Sequence, residues 1–434
     1  MQGDTTRFVY WWAYPSRIAL FVHLPIFLWC ASLGTEDYAF YKQGSKLLDD
    51  GAVLSGVLAI LAFALCSLPF EPRRAVVDTG PTVNTRAVDN AVHVLFGLVL
   101  GAYGLFLLPL ISNPQLIVDH LAGSSSAMYV LRDTLNRIPG VTTLMTLQSL
   151  LAILVISYSQ LTGERLPRAW VRLMLMVVAA CVLRAWLWSE RLALIELALP
   201  IGIVMLARGT PRWDRRVVRA LALAPLVGLA ALFALFALGE YFRSWQVYQH
   251  TFAGSFLDFA MLRFAGYYAT ALNNGAALLT LLEPFHAPTL TAQWFYKFPV
   301  WQFVAAPSTY ETFDHMAFLD AYMNPEFNNM SGIFLPLVDY GPLLGLACWM
   351  LLGLVTGMQF NAFMLGNVSG LLLYPVWYTG IAEMLRVFYW GETRFFPVIL
   401  GALILARYLG RHALSQPASG SIEDGCAVNG TGSS

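Results

Sequence analysis

The sequence predicts an all-α polytopic membrane protein, and three observations predict it. Of 434 residues, 58% are hydrophobic and only 12% are charged, against roughly 25% charged in an ordinary soluble domain. Mean hydropathy is +0.61. Apolar runs, each near the roughly 20 residues that a bilayer-spanning helix needs, recur along the chain.

The runs fall near 15–33, 51–70, 91–112, 140–160, 173–188, 192–207, 220–240, 332–358, 370–388 and 395–410. The first is long for a signal peptide and lacks a small-x-small cleavage site, so it reads as a retained helix. The five cysteines are scattered, with neither metal-ligand spacing nor a disulfide framework. Alternate connections are rich in arginine: Arg73, Arg74 and Arg86, then Arg165, Arg168 and Arg172, then Arg208, Arg212, Arg215, Arg216 and Arg219, and finally Arg407 and Arg411. The positive-inside rule makes all of these cytoplasmic. They agree if about ten helices cross the membrane and both termini lie inside. Residues 1–412 then form a single transmembrane domain, and the small, polar 413–434 segment is a disordered tail.

Two stretches need more than hydropathy. One helix over 173–207 would be about 52 Å long, well beyond the ~30 Å hydrocarbon core. Both flanks are basic, so the chain must cross and return, turning on the outer face near Ser189-Glu190-Arg191. The long connection at about 241–331 contains only Arg243, Arg263 and Lys297 as cations, which places it outside. Within it, 257–282 is apolar, but a true span there would put Arg263, Asn273 and Asn274 in lipid. Arginine alone costs about 2.5–3.5 kcal/mol at such a position. The expectation is a helix lying in, or dipping into, the outer interface.

The outer side therefore holds Arg132, Arg137, Arg184, Arg191, Arg243, Arg263, Arg386 and Arg394. Arginines at helix ends commonly snorkel to the interface as anchors. That explanation fits Arg184, Arg191 and Arg386 less well, because they sit in apolar runs on the side where cations are scarce. A lipid diphosphate would need several guanidinium groups at this depth, since arginine makes bidentate contacts to phosphate oxygens. On the 257–282 helix, Arg263, Tyr267, Thr270 and Asn274 fall within about 60° of one another at 100° per residue. This stripe either packs against other protein or faces a ligand.

The segment 310–332 supplies Glu311, Asp314, His315, Asp320 and Glu326 among aromatics. Any one of these acids is at home in a solvated loop. As a group they include candidates for a general base on a sugar hydroxyl. Glu311, Asp314 and His315 also have metal-ligand types at helical spacing. No fixed metal motif accompanies them, and neither a metal nor another cofactor is expected.

Taken together, LRAWLWSERLALIEL, RFAGYYATALNNGAA and NPEFNNMSGIFLPLVDYGPLLG resemble bacterial oligosaccharide repeat-unit polymerases of the Wzy type, which make O-antigen and exopolysaccharide. The likeness covers roughly 130–400, and the combination and order of segments carry it. The resemblance implies a GT-C-like membrane glycosyltransferase, inverting and metal-independent, in a bacterial inner membrane. Its donor and acceptor would be undecaprenyl-diphosphate-linked oligosaccharides, joined on the periplasmic side. Membrane lipid, a flippase and a chain-length regulator are the implied partners, and nucleic acid is not.

The diphosphate-binding candidates are Arg132, Arg191, Arg263, Arg386 and Arg394, of which the resemblance itself matches Arg191 and Arg263. Tyr267, Asn273, Asn274, Asn328, Asn329 and Asp339 are the substrate-binding candidates. The base is Glu326, His315 or Asp314. An O-antigen ligase, transferring polymer to lipid A core, shares this architecture and donor. A metal-dependent relative would use acids such as Glu36 and Asp37 after the first helix. A transporter would instead place charges near midplane on broken helices.

Overall fold

The computed structural model describes residues 6–41, 43, 45–71, 76–77, 82–115, 118, 134–135, 140–188, 192–206, 208–209, 215–297 and 313–414. Six of its helices are long and apolar enough to cross a membrane: α1 (Pro15–Ser32), α3 (Asp50–Phe70), α4 (Thr85–Ser112), α5 (Val141–Thr162), α6 (whose apolar stretch is Arg168–Leu187) and α13 (Leu335–Met364). A short helix, α2 (Thr35–Phe40), follows α1. Two further apolar helices are shorter, α7 (Leu192–Leu206) and α9 (Ala224–Glu240). The basic helix α8 (Arg215–Ala222) precedes α9. Beyond these lie α10 (Phe256–Leu281), α11 (Gln293–Tyr296), α12 (His315–Tyr322), α14 (Val368–Glu383) and α15 (Phe395–Arg411). The chain is a polytopic helical bundle of membrane-protein character.

Local chemistry sets several helix starts. Asp49 accepts a hydrogen bond from the Ala52 amide at 2.8 Å and so caps α3. Ser255 and Asp258 form a reciprocal capping box on α10. Each satisfies amides that the first turn of a helix leaves without partners. Gly341 interrupts α13 with φ of 79°, and Pro342 follows it; a residue with a Cβ avoids that backbone region.

The 173–207 stretch is two helices, as the length argument requires: α6 ends at Trp188 and α7 begins at Leu192. The connecting residues, Arg191 included, lie outside the described ones. The basic connections gather at one end of the bundle. Strand β1 (Thr6–Val9) pairs antiparallel with β2 (Val76–Val77) on one edge and β3 (Arg208–Gly209) on the other. Val83 bridges to Ala413, and the Leu414 amide donates to the Thr82 carbonyl at 2.8 Å. The Val83 amide donates to the Leu161 carbonyl at 2.6 Å, and Thr85 donates its hydroxyl to Glu164 at 2.7 Å. The arginine-rich loops, the β1 segment and the end of α15 thus share one end, the grouping that their charge predicts.

The opposite end holds α10. Gly266 packs on Tyr41, and Asn273 bonds the backbone just before α3. Ser331 donates its amide to the Ala271 carbonyl, and the Phe285 amide just beyond α10 reaches Val338 at the start of α13. From its middle to its exit, α10 therefore stays among residues of this one end. Arg263, Asn273 and Asn274 are buried in protein, so the lipid-exposure cost that argued against a span here does not arise, and the polar stripe packs against other protein.

Close helix contact fixes the α3–α13 pair. A Cβ at Gly353 would collide with the Phe63 carbonyl, and one at Gly357 with that of Ser67. Gly353→Leu should force the two helices apart and cost about 1–3 kcal/mol, the usual range for overpacking. Thermal unfolding in detergent measures this. Gly228→Ala, at a position with nothing near the added methyl, should leave the transition unchanged.

Candidate functional site

The site begins with two adjacent asparagines that fix the walls around α10. Asn273 accepts from the amides of Leu47 and Leu48 and donates to Gln43 Oε1 and the Ser45 carbonyl. Asn274 accepts from Gln43 Nε2 and donates to the carbonyls of Phe327 and Asn329. Both side chains are fully buried. Their donors and acceptors are committed to protein, so the expectation that they bind substrate is corrected: they clamp the 43–48 and 327–331 segments onto α10. Thr270, on the same stripe, donates to its own helix at the Gly266 carbonyl.

One turn earlier, Arg263 lies between two carboxylates. Its Nε is 3.3 Å from Glu240, which is wholly buried, and its Nη1 is 2.7 Å from Glu326, which is 34% exposed. The guanidinium carbon lies 4.7 Å from the Phe327 ring centroid, a cation–π distance. Tyr248 donates to the second oxygen of Glu326 at 3.2 Å. Arg263 therefore meets more negative charge than it carries, which corrects the expectation of a cation held free for diphosphate. Glu326 is likewise held by two partners rather than left as an open base.

The aromatic contact continues sideways. Phe327 meets Tyr267 edge to face at 6.1 Å, and the Arg386 guanidinium carbon lies 5.5 Å from the Tyr267 ring centroid. Arg386 pairs with Glu383 at 2.9 Å. Next comes Arg394, 3.2 Å from Glu196, whose carboxylate also accepts from Tyr389 at 2.8 Å. Arg386 and Arg394 are each 22% exposed, and each of these two ion pairs contains one carboxylate. Three of the five expected arginines are thus gathered at one end of the bundle, with Tyr267 between two of them. The other two, Arg132 and Arg191, lie outside the described residues, as does Glu311. Arg184 is fully buried beside Tyr103 and Cys181.

The remaining candidates separate by role. Asp339 is fully buried and accepts from the Leu290 and Thr291 amides and the Thr291 hydroxyl. It fastens the 290–291 segment to α13, which corrects its assignment to substrate. Asp314 caps α12 through the amides of Met316 and Ala317, a structural task in place of the expected basic one. His315 is half-buried, and burial together with Lys297 lowers its pKa from the ordinary 6.5. Asn328 is exposed, while Asn329 is half-buried and gives its carbonyl to Asn274. Among the described residues no group of three His, Cys, Asp or Glu could hold a metal ion.

The chain matches no protein-family model, no curated protein and no solved structure.

Sequence reasoning missed the carboxylates Glu196, Glu240 and Glu383 and the amide Gln43. A signal for the first two was present: each is a lone acid in an apolar run, a placement that demands a partner. Asn273→Ala should leave several buried backbone groups unpaired, at about 1–3 kcal/mol for each, and lower the unfolding temperature sharply. Asn328→Ala should not. The lowered pKa of His315 fixes a sign as well. The folded state disfavours its charged form, so its contribution to stability is complete above pH about 6.5 and is lost as pH falls below that value. His315→Gln should remove this increment from a pH series of melting temperatures.

Proposed function

We propose that the chain is a membrane glycosyltransferase that joins lipid-diphosphate-linked oligosaccharide repeat units, working at the bundle end away from the basic loops. In this reading ten helices cross the membrane in a GT-C-like arrangement: α1, α3, α4, α5, α6, α7, α9, α13, α14 and α15. The basic-loop end and both termini are cytoplasmic, and the Arg386–Arg394 end is periplasmic.

One observation carries the reading: Arg386 and Arg394 are held partly exposed at that end, each in an ion pair with one carboxylate. A guanidinium offers five donors in a fixed fork, and at Arg386 a single nitrogen, Nη1, bonds the Glu383 carboxylate. The donor's diphosphate would rest there, with the Tyr267 ring beside Arg386. The acceptor hydroxyl attacks the anomeric carbon as the diphosphate departs with the bonding pair, and the two guanidinium groups offset the charge that develops. Arg263, held by two carboxylates, fixes the wall of the site instead of taking the leaving group.

Purified protein given an undecaprenyl-diphosphate repeat unit, without nucleotide sugar, should yield a ladder of products that survives EDTA. Transfer only to lipid A core would identify a ligase. Arg386→Ala and Arg394→Ala should each slow turnover about 10²–10³-fold, the range for removing one preorganised donor. Melting temperatures separate that loss from misfolding. No ladder, or full turnover in both variants, rules the proposal out.

A further inference from the structure

The displacement proposed above needs a group to take the hydroxyl proton, and the two acids named as candidate bases, Glu326 and Asp314, are engaged elsewhere. Glu326 is fixed by Arg263 and Tyr248, and Asp314 caps a helix. Glu392 differs from both. It sits in the turn between α14 and α15, is half-buried, and among the described residues its side chain has no hydrogen bond or ion pair.

Its position is built, not incidental. Asp339 pins Thr291, and the Thr291 carbonyl presses on Gly391 so closely that a Cβ there would collide with it. Three residues further along the same segment, Trp294 stacks on Phe396 with ring centroids 4.2 Å apart and planes 4° from parallel. The two contacts clamp the 290–297 segment onto both sides of Glu392. Arg394, two residues on, is tied to Glu196. Burial raises the Glu392 carboxyl above the usual carboxylate range, while Lys297 and Arg394 pull it back.

We propose that Glu392 is the proton acceptor for the attacking hydroxyl. This rests on the glycosyltransferase reading. The hydroxyl proton passes to the Glu392 carboxylate as the oxygen forms its bond to the anomeric carbon. The bond from that carbon to the diphosphate oxygen breaks, and its electron pair leaves with the diphosphate. The Trp294–Phe396 pair, whose Phe396 lies on the turn of helix that follows Glu392, offers an aromatic surface of the kind that suits the C–H face of an acceptor sugar.

The test uses full-length protein in detergent or nanodiscs with the lipid-linked repeat unit. Wild type must first produce the ladder; if it does not, the glycosyltransferase reading fails before this inference is reached. Given a ladder, Glu392→Gln should lower kcat by about 10²–10⁴-fold, the usual contribution of a general base, with little change in KM. Glu392→Asp should recover part of the rate. Wild-type turnover should fall on the acid side as Glu392 takes a proton, with Lys297 and Arg394 as the charges facing it. The Gln variant should lack that limb. Glu283→Gln, at an exposed carboxylate outside the site, should behave as wild type. Turnover within about threefold of wild type in Glu392→Gln overturns the assignment. So does a loss of rate that keeps the acid limb, because Glu392 would then be structural.

Discussion

A guanidinium cannot be carried into the apolar end of a helical bundle without negative charge to meet it, and this constraint organises one whole end of the molecule. Taking an ion out of water costs several kcal/mol even after relaxation, and breaking a buried pair leaves that cost uncompensated. Each of Arg263, Arg386 and Arg394 accordingly has a carboxylate from another part of the chain or from the adjacent turn. These pairs tie α9 to α10, α7 to the start of α15, and the end of α14 to the turn that follows it. Remove the carboxylates and the bundle end would have to open to water.

The same pairing grades the arginines by availability. Arg263 faces two acids and an aromatic ring, so an incoming anion would have to displace Glu326 first. Arg386 and Arg394 are each 22% exposed, against 7% for Arg263. Rigidity comes from residues that bind backbone. Asn273 and Asn274 hold two loops with amide chemistry alone, and Asp339 holds a third with four short contacts. Asparagine amides and the Asp339 carboxylate thus hold loops in place on elements neighbouring those that carry the arginine ion pairs.

Much of the helical layout was legible in the sequence, because hydropathy and arginine asymmetry report directly on physical partition between lipid and water. The division of 173–207 into α6 and α7 followed from its length and its basic flanks, and the shared end of the basic loops followed from charge. The role of the polar residues on α10 was not legible. Helical spacing put Arg263, Tyr267 and Asn274 on one face, but only the folded chain reveals that Gln43, more than 200 positions away, completes that face. Asp339 gave no local hint that its partners would be backbone amides at 290 and 291. The acids that neutralise the arginines were visible as isolated charges in apolar runs, yet pairing between distant segments is a property of packing.

The small sheet at the arginine-rich end has a consequence for how such a chain comes together. Its middle strand, Thr6–Val9, lies ahead of α1, but one edge partner is Val76–Val77 and the other is Arg208–Gly209. One edge of that strand can pair once α3 has been made, but the other must wait until α7 is complete. Closing so long a loop is entropically slow. The second edge is accordingly a late-setting seal, since its partner strand follows α7.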